Sequence, residues 1–341
     1  MCVLAAYLGD RPAAPILLEM LEKQEGLAGG YYAGLATVHD GKLLFRKVVG
    51  DVAALRRQTD AAALPGTVGI AHSRTPSGGN VEWGHPFVDC RQQMAYVAQG
   101  APGFFTTRTD MPTFGNALLA KGHTFRSTCA EKVGNYPGLN NGKFVHLSDV
   151  MCHLIEDEQQ AGLSLLEAMR TAFTRMPGEI CGICLHCETP DRLVVAAINQ
   201  SIVIGRDDAS VYLCSTGLAL PESVTWRLQM PPNTAAAVTR SDLTLRPFDP
   251  SAVPVVSAHP SLDADAFALE SLRNTPGQTW GALFGKLREK LWPGGGLTVT
   301  APAVNIIENL VRTSRIRLET HQVPGMFNRG TTPQVRVFAS E

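Results

Sequence analysis

Cys2 follows the initiator methionine, so removal of Met1 would place a thiol nucleophile and a free α-amine on one amino-terminal residue. An α-amine titrates near about pH 8 and a thiol near about 8.5, so the amine can take the thiol proton directly or through a water. A plainer reading makes Cys2 a small apolar residue at the start of a buried strand. A second candidate is Arg74, which ends the run Thr67-Val68-Gly69-Ile70-Ala71-His72-Ser73-Arg74 just before Thr75-Pro76-Ser77-Gly78-Gly79. Its planar fork matches a carboxylate, although a surface salt bridge would use an arginine equally well. A third pattern, Cys181, Cys184 and Cys187 at C-x-x-C-x-x-C spacing, suggests a metal. On a strand, however, Cys181 and Cys187 point one way and Cys184 the other, and a fourth ligand is missing, so we assign neither metal nor cofactor there.

The elements that must position these groups follow from hydrophobic period and turn residues. Val3-Leu4-Ala5-Ala6-Tyr7-Leu8, stopped by Gly9-Asp10, reads as a buried strand. A helix follows, with Pro15 in its first turn and Ile16, Leu17, Met20 and Leu21 as its apolar stripe. Leu35 to Val38 and Leu43 to Val49 flank Asp40-Gly41, a strong hairpin signal. Residues 51 to 63 and 163 to 176 read as helices, and 101 to 146 as mostly irregular, with a long loop over 134–142. Glu179 to Cys187, Leu193 to Ile198, Ser201 to Gly205, Ser210 to Thr216 and short runs within 225–246 read as strands.

The 341 residues hold 30 basic and 31 acidic side chains, so total charge gives no reason to expect a nucleic-acid or membrane partner. No apolar run approaches the roughly 18 residues of a membrane span, and the start lacks the pattern of a signal peptide, so a cytoplasmic location is expected. Eight irregularly spaced cysteines suit reduced thiols better than a disulfide framework.

Cys2, Gly30-Tyr31 leading to Ala33-Gly34-Leu35-Ala36, Gly69-Ile70-Ala71-His72-Ser73-Arg74, and His85-Pro86 occur in the order and approximate spacing of class II glutamine amidotransferases. The chain resembles in particular the glutaminase domain of glucosamine-6-phosphate synthase. The resemblance implies an α+β fold, a four-layer α/β/β/α N-terminal-nucleophile sandwich, over residues 1–250. It implies that Cys2 attacks the glutamine amide and that Arg74 holds the α-carboxylate, with Ser77 in the same substrate-binding loop. The oxyanion would rest on Gly100 and Gln99, where the family has Asn-Gly. Ser148-Asp149, opening a helix, matches the family's ammonium-binding aspartate, and either side chain would also serve as a plain helix cap. Thr75, Gly78 and Val3-Leu4 depart from the family pattern and bear on the substrate. Ammonia released in this family passes to a synthase; no synthase half is recognisable here, so a separate synthase subunit is the expected partner. An amidase for another linear amide and a non-catalytic glutamine sensor are the alternatives.

Pro247 to Pro260 reads as a linker, and residues 260–341 as a small C-terminal module outside the resemblance. Helices are expected over 263–273, 280–292 and from Thr300, with Gly294-Gly295-Gly296 as a break, followed by a hairpin from Ile316 to Phe338. That order is winged-helix-like. Arg312, Arg315, Arg317, Arg329 and Arg336 are nearly balanced by acids, which favours an interaction module over DNA binding and leaves homo-oligomerisation open.

Overall fold

The computed structural model describes residues 2–76, 78–101, 111–134, 136–253, 263–291, 300–326 and 330–340. Ser77, Pro102, Gly103, Asn135, residues 254–260 of the expected linker, Trp292, Gly294-Gly295-Gly296 and Arg329 lie outside the described residues.

The elements run β1 (Val3–Leu8), α1 (Ala13–Glu22), β2 (Tyr32–His39), β3 (Lys42–Val48), α2 (Val52–Gln58), β4 (Val68–Arg74), β5 (Phe87–Val88), β6 (Met94–Ala101), α3 (Met111–Ala120), α4 (Leu147–Gln160) and α5 (Leu165–Arg175). They continue with β7 (Glu179–His186), β8 (Arg192–Ile198), β9 (Val203–Arg206), β10 (Val211–Cys214), β11 (Trp226–Gln229), β12 (Thr234–Thr239) and β13 (Leu243–Pro247). The last part holds α6 (Ala264–Asn274), β14 (Gln278–Thr279), α7 (Trp280–Leu291), α8 (Thr300–Arg312), β15 (Ile316–Pro324) and β16 (Thr331–Ala339).

Two antiparallel sheets stack, one ordered β11-β9-β10-β1-β4-β2-β3 and the other β13-β12-β8-β7-β6-β5. Strand alternation decides the layers. Leu4, Ala6 and Leu8 of β1 meet Val97, Ile183 and Val195 in the core between the sheets. Ala5 and Tyr7 face the other way, onto Leu17, Leu18 and Leu21 of α1. On the far side of the second sheet, Tyr96, Ile180 and Val194 pack on Met151 and Ile155 of α4 and Phe173 of α5. The result is the four-layer α/β/β/α sandwich expected. The same alternation separates the three cysteines: Cys181 and Cys187 lie in the inter-sheet core and Cys184 in the helix-side core.

Local chemistry sets the turns. Asp40 and Gly41 both have positive φ, 49° and 69°, and close β2 onto β3 with His39 opposite Lys42, as a two-residue hairpin requires. The helix expected over 51–63 is shorter. Asp51 caps it by accepting from Ala54 N at 2.7 Å, but it ends at Gln58, and 61–63 form a separate 3-10 turn. Helix α3 emerges from the stretch that sequence period left irregular. Its buried residues are Met111, Gly115 and Leu118, too sparse an apolar stripe to stand out without the core it meets.

The C-terminal module has the winged-helix order of helix, strand, helix, helix, strand, strand, with its sheet ordered β14-β16-β15. The two-residue β14, too short to read from sequence, completes that topology. Its core contains Leu272, Trp280, Leu287, Ile307, Leu310 and Val337, and it takes in Leu27 from the loop after α1. In winged-helix DNA readers the third helix enters the groove. Here the third helix, α8, faces the sandwich: Glu308 accepts from Thr216 Oγ1 at 3.0 Å and Gly217 N at 2.9 Å, Ala301 N donates to Asn199 O, and the Thr300 hydroxyl bonds Glu179. The wing adds Val335 N to Gly26 O at 2.8 Å. Among the described residues no helix is long and apolar enough to cross a membrane.

Two buried carboxyls make stability depend on pH. Burial pushes Glu25 up to about 7 against hydrogen bonds from Ser73 and Val52 N, and pushes Glu179 up to about 7 against its bond from Thr300. The folded state therefore binds more protons than the unfolded chain between about pH 4.5 and 7, and stability falls as pH rises through that window. Each group is expected to contribute a loss on the order of 3 kcal/mol. Urea unfolding at pH 5 and pH 8 measures it, and combining Glu25→Gln with Glu179→Gln should flatten the difference.

Candidate active site

Strand β1 carries Cys2 into the middle of the first sheet, because it pairs with β10 on one side and β4 on the other. The β1–β4 register sets Val3 opposite Ser73 and Leu4 opposite His72, so the end of β4 delivers His72, Arg74 and Thr75 beside Cys2. The thiol is half-buried, 3.5 Å from Thr75 Oγ1. Burial raises its pKa, but the neighbouring His72 and the positive charge of the chain terminus, helped by the Thr75 backbone, more than reverse this and leave Cys2 lowered to about 6. This shift favours the thiolate.

Arg74 is 1% exposed. It donates to Gly78 O at 3.2 Å and Tyr136 Oη at 3.1 Å, and its guanidinium lies 4.7 Å above the Tyr32 ring. These contacts fix the fork while leaving further N–H groups for a ligand. Tyr136 Oη also lies 3.2 Å from His146 Nε2. His146 Nδ1 accepts from Ser148 N, which caps α4, so a neutral His146 carries its proton on Nε2 and donates it to Tyr136. With two donors already directed at its oxygen, Tyr136 has its own O–H free to donate. Burial, then the charges of Arg74, His72 and Lys47, holds His146 well below the usual histidine range. His85 is depressed in the same way, by burial and then His72, and its ring stacks 3.9 Å from that of His72.

Cys2, Arg74, Thr75, Gln99, Gly100, Tyr136, His146 and Ser148 line one cavity of about 290 Å³. Four of the six residues expected from sequence thus converge. Gly100 must be glycine, since a Cβ would sit 2.6 Å from Glu179 O. Gln99 is 6% exposed, accepts from Ser215 Oγ at 2.9 Å and directs its nitrogen toward Gln200 at 3.5 Å. The amide is thus held from behind, and its donor end points at another side chain. Ser215 in turn accepts from Leu4 N and donates its own N–H to Gln24, which ties the floor beneath Cys2 into one network. A second, apolar cavity of about 30 Å³ lies behind, shared by Cys2 and Gln99 with Trp280, Thr300 and Val304 of the C-terminal module. The module thus reaches the back of the nucleophile.

Asp149 does not reach the cavity wall. In the first turn of α4 its side chain points inward, accepting from Ser127 N at 2.9 Å and Ser127 Oγ at 2.8 Å, with its other oxygen 3.6 Å from His153 Nδ1. Adjacent helix positions point about 100° apart, so Ser148 takes the lining place while Asp149 faces the interior. Ser77 falls outside the described residues. Sequence reasoning missed Gln24, Tyr136 and His146. Their only signal was a polar residue in an apolar helix end and aromatic rings beside a glycine-rich loop.

No protein-family model matches the chain. Among curated proteins, a glutamine–fructose-6-phosphate aminotransferase (isomerizing) of Pyrococcus horikoshii is 27% identical over 217 residues, covering 63% of this chain and 32% of the relative. The Thermosynechococcus vestitus protein of the same name is 30% identical over 220 residues, 63% of this chain and 31% of the relative. That of Streptomyces coelicolor is 25% identical over 299 residues, 84% of this chain and 45% of the relative. Over about 63% of its length the chain is similar to these glutamine-using aminotransferases. A solved glutamine phosphoribosylpyrophosphate amidotransferase of Bacillus subtilis shares the fold, with a TM-score of 0.58 at 16% identity over 80% of this chain and 53% of its own. The chain spans about a third of the length of the first two relatives.

Proposed function

We propose that the protein is a cysteine-dependent glutaminase of the amidotransferase type, with residues 1–250 as the catalytic domain and 260–341 as an attached module. The observation that carries this reading is a half-buried thiol in the same cavity as a buried, braced arginine. The Cys2 thiolate attacks the carboxamide carbon, and the α-amine freed by removal of Met1 passes a proton to the leaving nitrogen. Ammonia departs, leaving a γ-glutamyl thioester. Water then adds to the thioester, and glutamate leaves as the thiol is restored. Gly100 N–H is the first candidate for the oxyanion, and Gln99 joins it if its amide turns away from Gln200. Arg74 takes the α-carboxylate, assisted by the Tyr136 hydroxyl, and Ser77 belongs to the adjoining loop. The relatives' names, aminotransferases that use glutamine, support delivery of the ammonia to a synthase partner.

One observation favours a second substrate class. Among the described residues that line the cavity there is no carboxylate to receive an α-ammonium. A linear amide with a carboxylate and no free amine would suit the same wall. The test is to incubate the purified chain, its processed amino terminus verified by intact mass, with L-glutamine and with glutaramate, its des-amino counterpart. Equal release of ammonia and glutamate, with glutamine strongly preferred, is the expected result. Preference for glutaramate would transfer the assignment to the second class, and no turnover of either would sink the enzymatic reading.

A further inference from the structure

Away from this cavity, on the other side of α4, the chain gathers a thiol, two imidazoles and a carboxylate that the proposed reaction does not use. Cys90 follows β5, His123 lies beyond the end of α3, and His153 and Glu156 project from α4 on the same stripe as Asp149. Ligand atoms of Cys90, His153 and Glu156 all lie within 4.8 Å of one another. His123 Nδ1 joins them at 3.0 Å from Glu156 Oε2 and 3.8 Å from Cys90 Sγ. In a tetrahedral site with metal–sulfur bonds near 2.3 Å and metal–nitrogen or metal–oxygen bonds near 2.0 Å, neighbouring ligand atoms are about 3.3 to 3.5 Å apart. The two His123 separations fall on either side of that range, and those among Cys90, His153 and Glu156 lie within 4.8 Å, so a small closing movement of the side chains completes the site. We propose that Cys90, His123, His153 and Glu156 bind one divalent first-row metal ion of the zinc class.

A histidine–carboxylate ion pair beside a thiol would explain His123 and Glu156 alone. It does not explain the second ring. His153 Nε2 bonds the Thr124 carbonyl at 2.7 Å, which requires a proton on that nitrogen, while Nδ1 faces Asp149 Oδ1 at 3.6 Å. Both Nδ1 and Oδ1 are fully buried and neither has a hydrogen-bond partner. Moving the ring proton to Nδ1 provides the donor for Asp149 and frees the Nε2 lone pair for a metal, with the Thr124 bond given up in exchange. Metal-binding histidines are usually oriented in this way, by a carboxylate on the opposite ring nitrogen. His123 shows the same arrangement, since its Nε2 lies 3.7 Å from Asp157 Oδ1. A mixed thiolate, imidazole and carboxylate set suits zinc and its neighbours rather than calcium or magnesium, which prefer all-oxygen shells. The imidazoles and Glu156 are buried while Cys90 is exposed, which leaves an entry route. The ion would fasten the β5 exit and the segment after α3 to α4, whose first turn supplies His146 and Ser148 to the cavity.

The full chain, stripped with a chelator and kept reduced, should take up one equivalent of Co²⁺ as a probe. The expected spectrum has d–d absorption of tetrahedral intensity, a near-ultraviolet thiolate-to-cobalt band and a raised melting temperature. In Cys90→Ser the thiolate band should vanish and the affinity fall at least tenfold, whereas Cys2→Ser and Cys129→Ser should keep the band. Cys90 is at the surface, so its replacement leaves the fold intact, and the metal-free melting temperature verifies this. The absence of a saturable equivalent, a thiolate band that survives Cys90→Ser, or one lost with Cys2→Ser would each overturn the site.

Discussion

Replacement of Cys2 by alanine is expected to lower the rate of glutamine hydrolysis by roughly 10⁴-fold or more, since no other group in the cavity can form the thioester. The fold should survive: Cys2 is half-buried, and β1 is held by its pairing with β4 and β10 from Val3 onward. A matching measurement follows the thiol directly. Alkylation of Cys2 by iodoacetamide should rise with pH about a midpoint near 6, the value to which His72 draws it. His72→Phe keeps a ring against His85 but removes the imidazole nitrogens beside the thiol, so the midpoint should move up toward the ordinary thiol range. Activity below neutrality should fall with it. An unchanged midpoint would show that His72 does not set the thiol, and residual hydrolysis in Cys2→Ala near the wild-type rate would end the thioester mechanism.

The second large effect is expected at Arg74. Removing one partner of a buried, hydrogen-bonded charge pair costs about 2 to 5 kcal/mol, so Arg74→Ala should reduce kcat/KM for glutamine by about 10² to 10³, chiefly through KM. Arg74→Lys keeps the charge without the fork and should recover only part of the loss. Because Arg74 also braces Tyr136 and Gly78, the measurement needs an internal reference. A simple amide without a carboxylate should be hydrolysed slowly by wild type and at nearly the same rate by Arg74→Ala. Equal losses on both substrates would instead mean that Arg74 shapes the cavity and does not read the carboxylate.

The sites of these two effects differ in how they could be known. Cys2 and Arg74 were legible because each sits where a strand begins or ends, and strand ends are marked by hydrophobic runs and glycine-rich loops that need no tertiary information. Gly100 was legible for the same reason, at the end of β6. The two-sheet sandwich was implied by the family resemblance, while local pattern supplied its buried strands, since runs such as Val3 to Leu8 are apolar on both faces and must be covered on both. The winged-helix order of the last eighty residues was visible as helices followed by a hairpin.

Other features depended on chain segments meeting across long separations. Asp149 has the right residue type and helix position for an ammonium ligand, yet the direction of its side chain is set by Ser127 and His153, neither of which the local sequence ties to it. Tyr136 and His146 join Arg74 only because the loop before α4 folds back over the end of β4. That α8 turns toward the sandwich is decided by Glu308 meeting Gly217 and by Thr300 meeting Glu179, contacts between residues about a hundred positions apart. The sequence alone thus pointed to Cys2 and Arg74 as candidates and, through the family resemblance, to the layered fold, because apolar period and turn residues act over a few positions. Only the tertiary structure decided which polar side chains complete the cavity and what the C-terminal module covers, because those directions are set by partners that the chain brings together on folding.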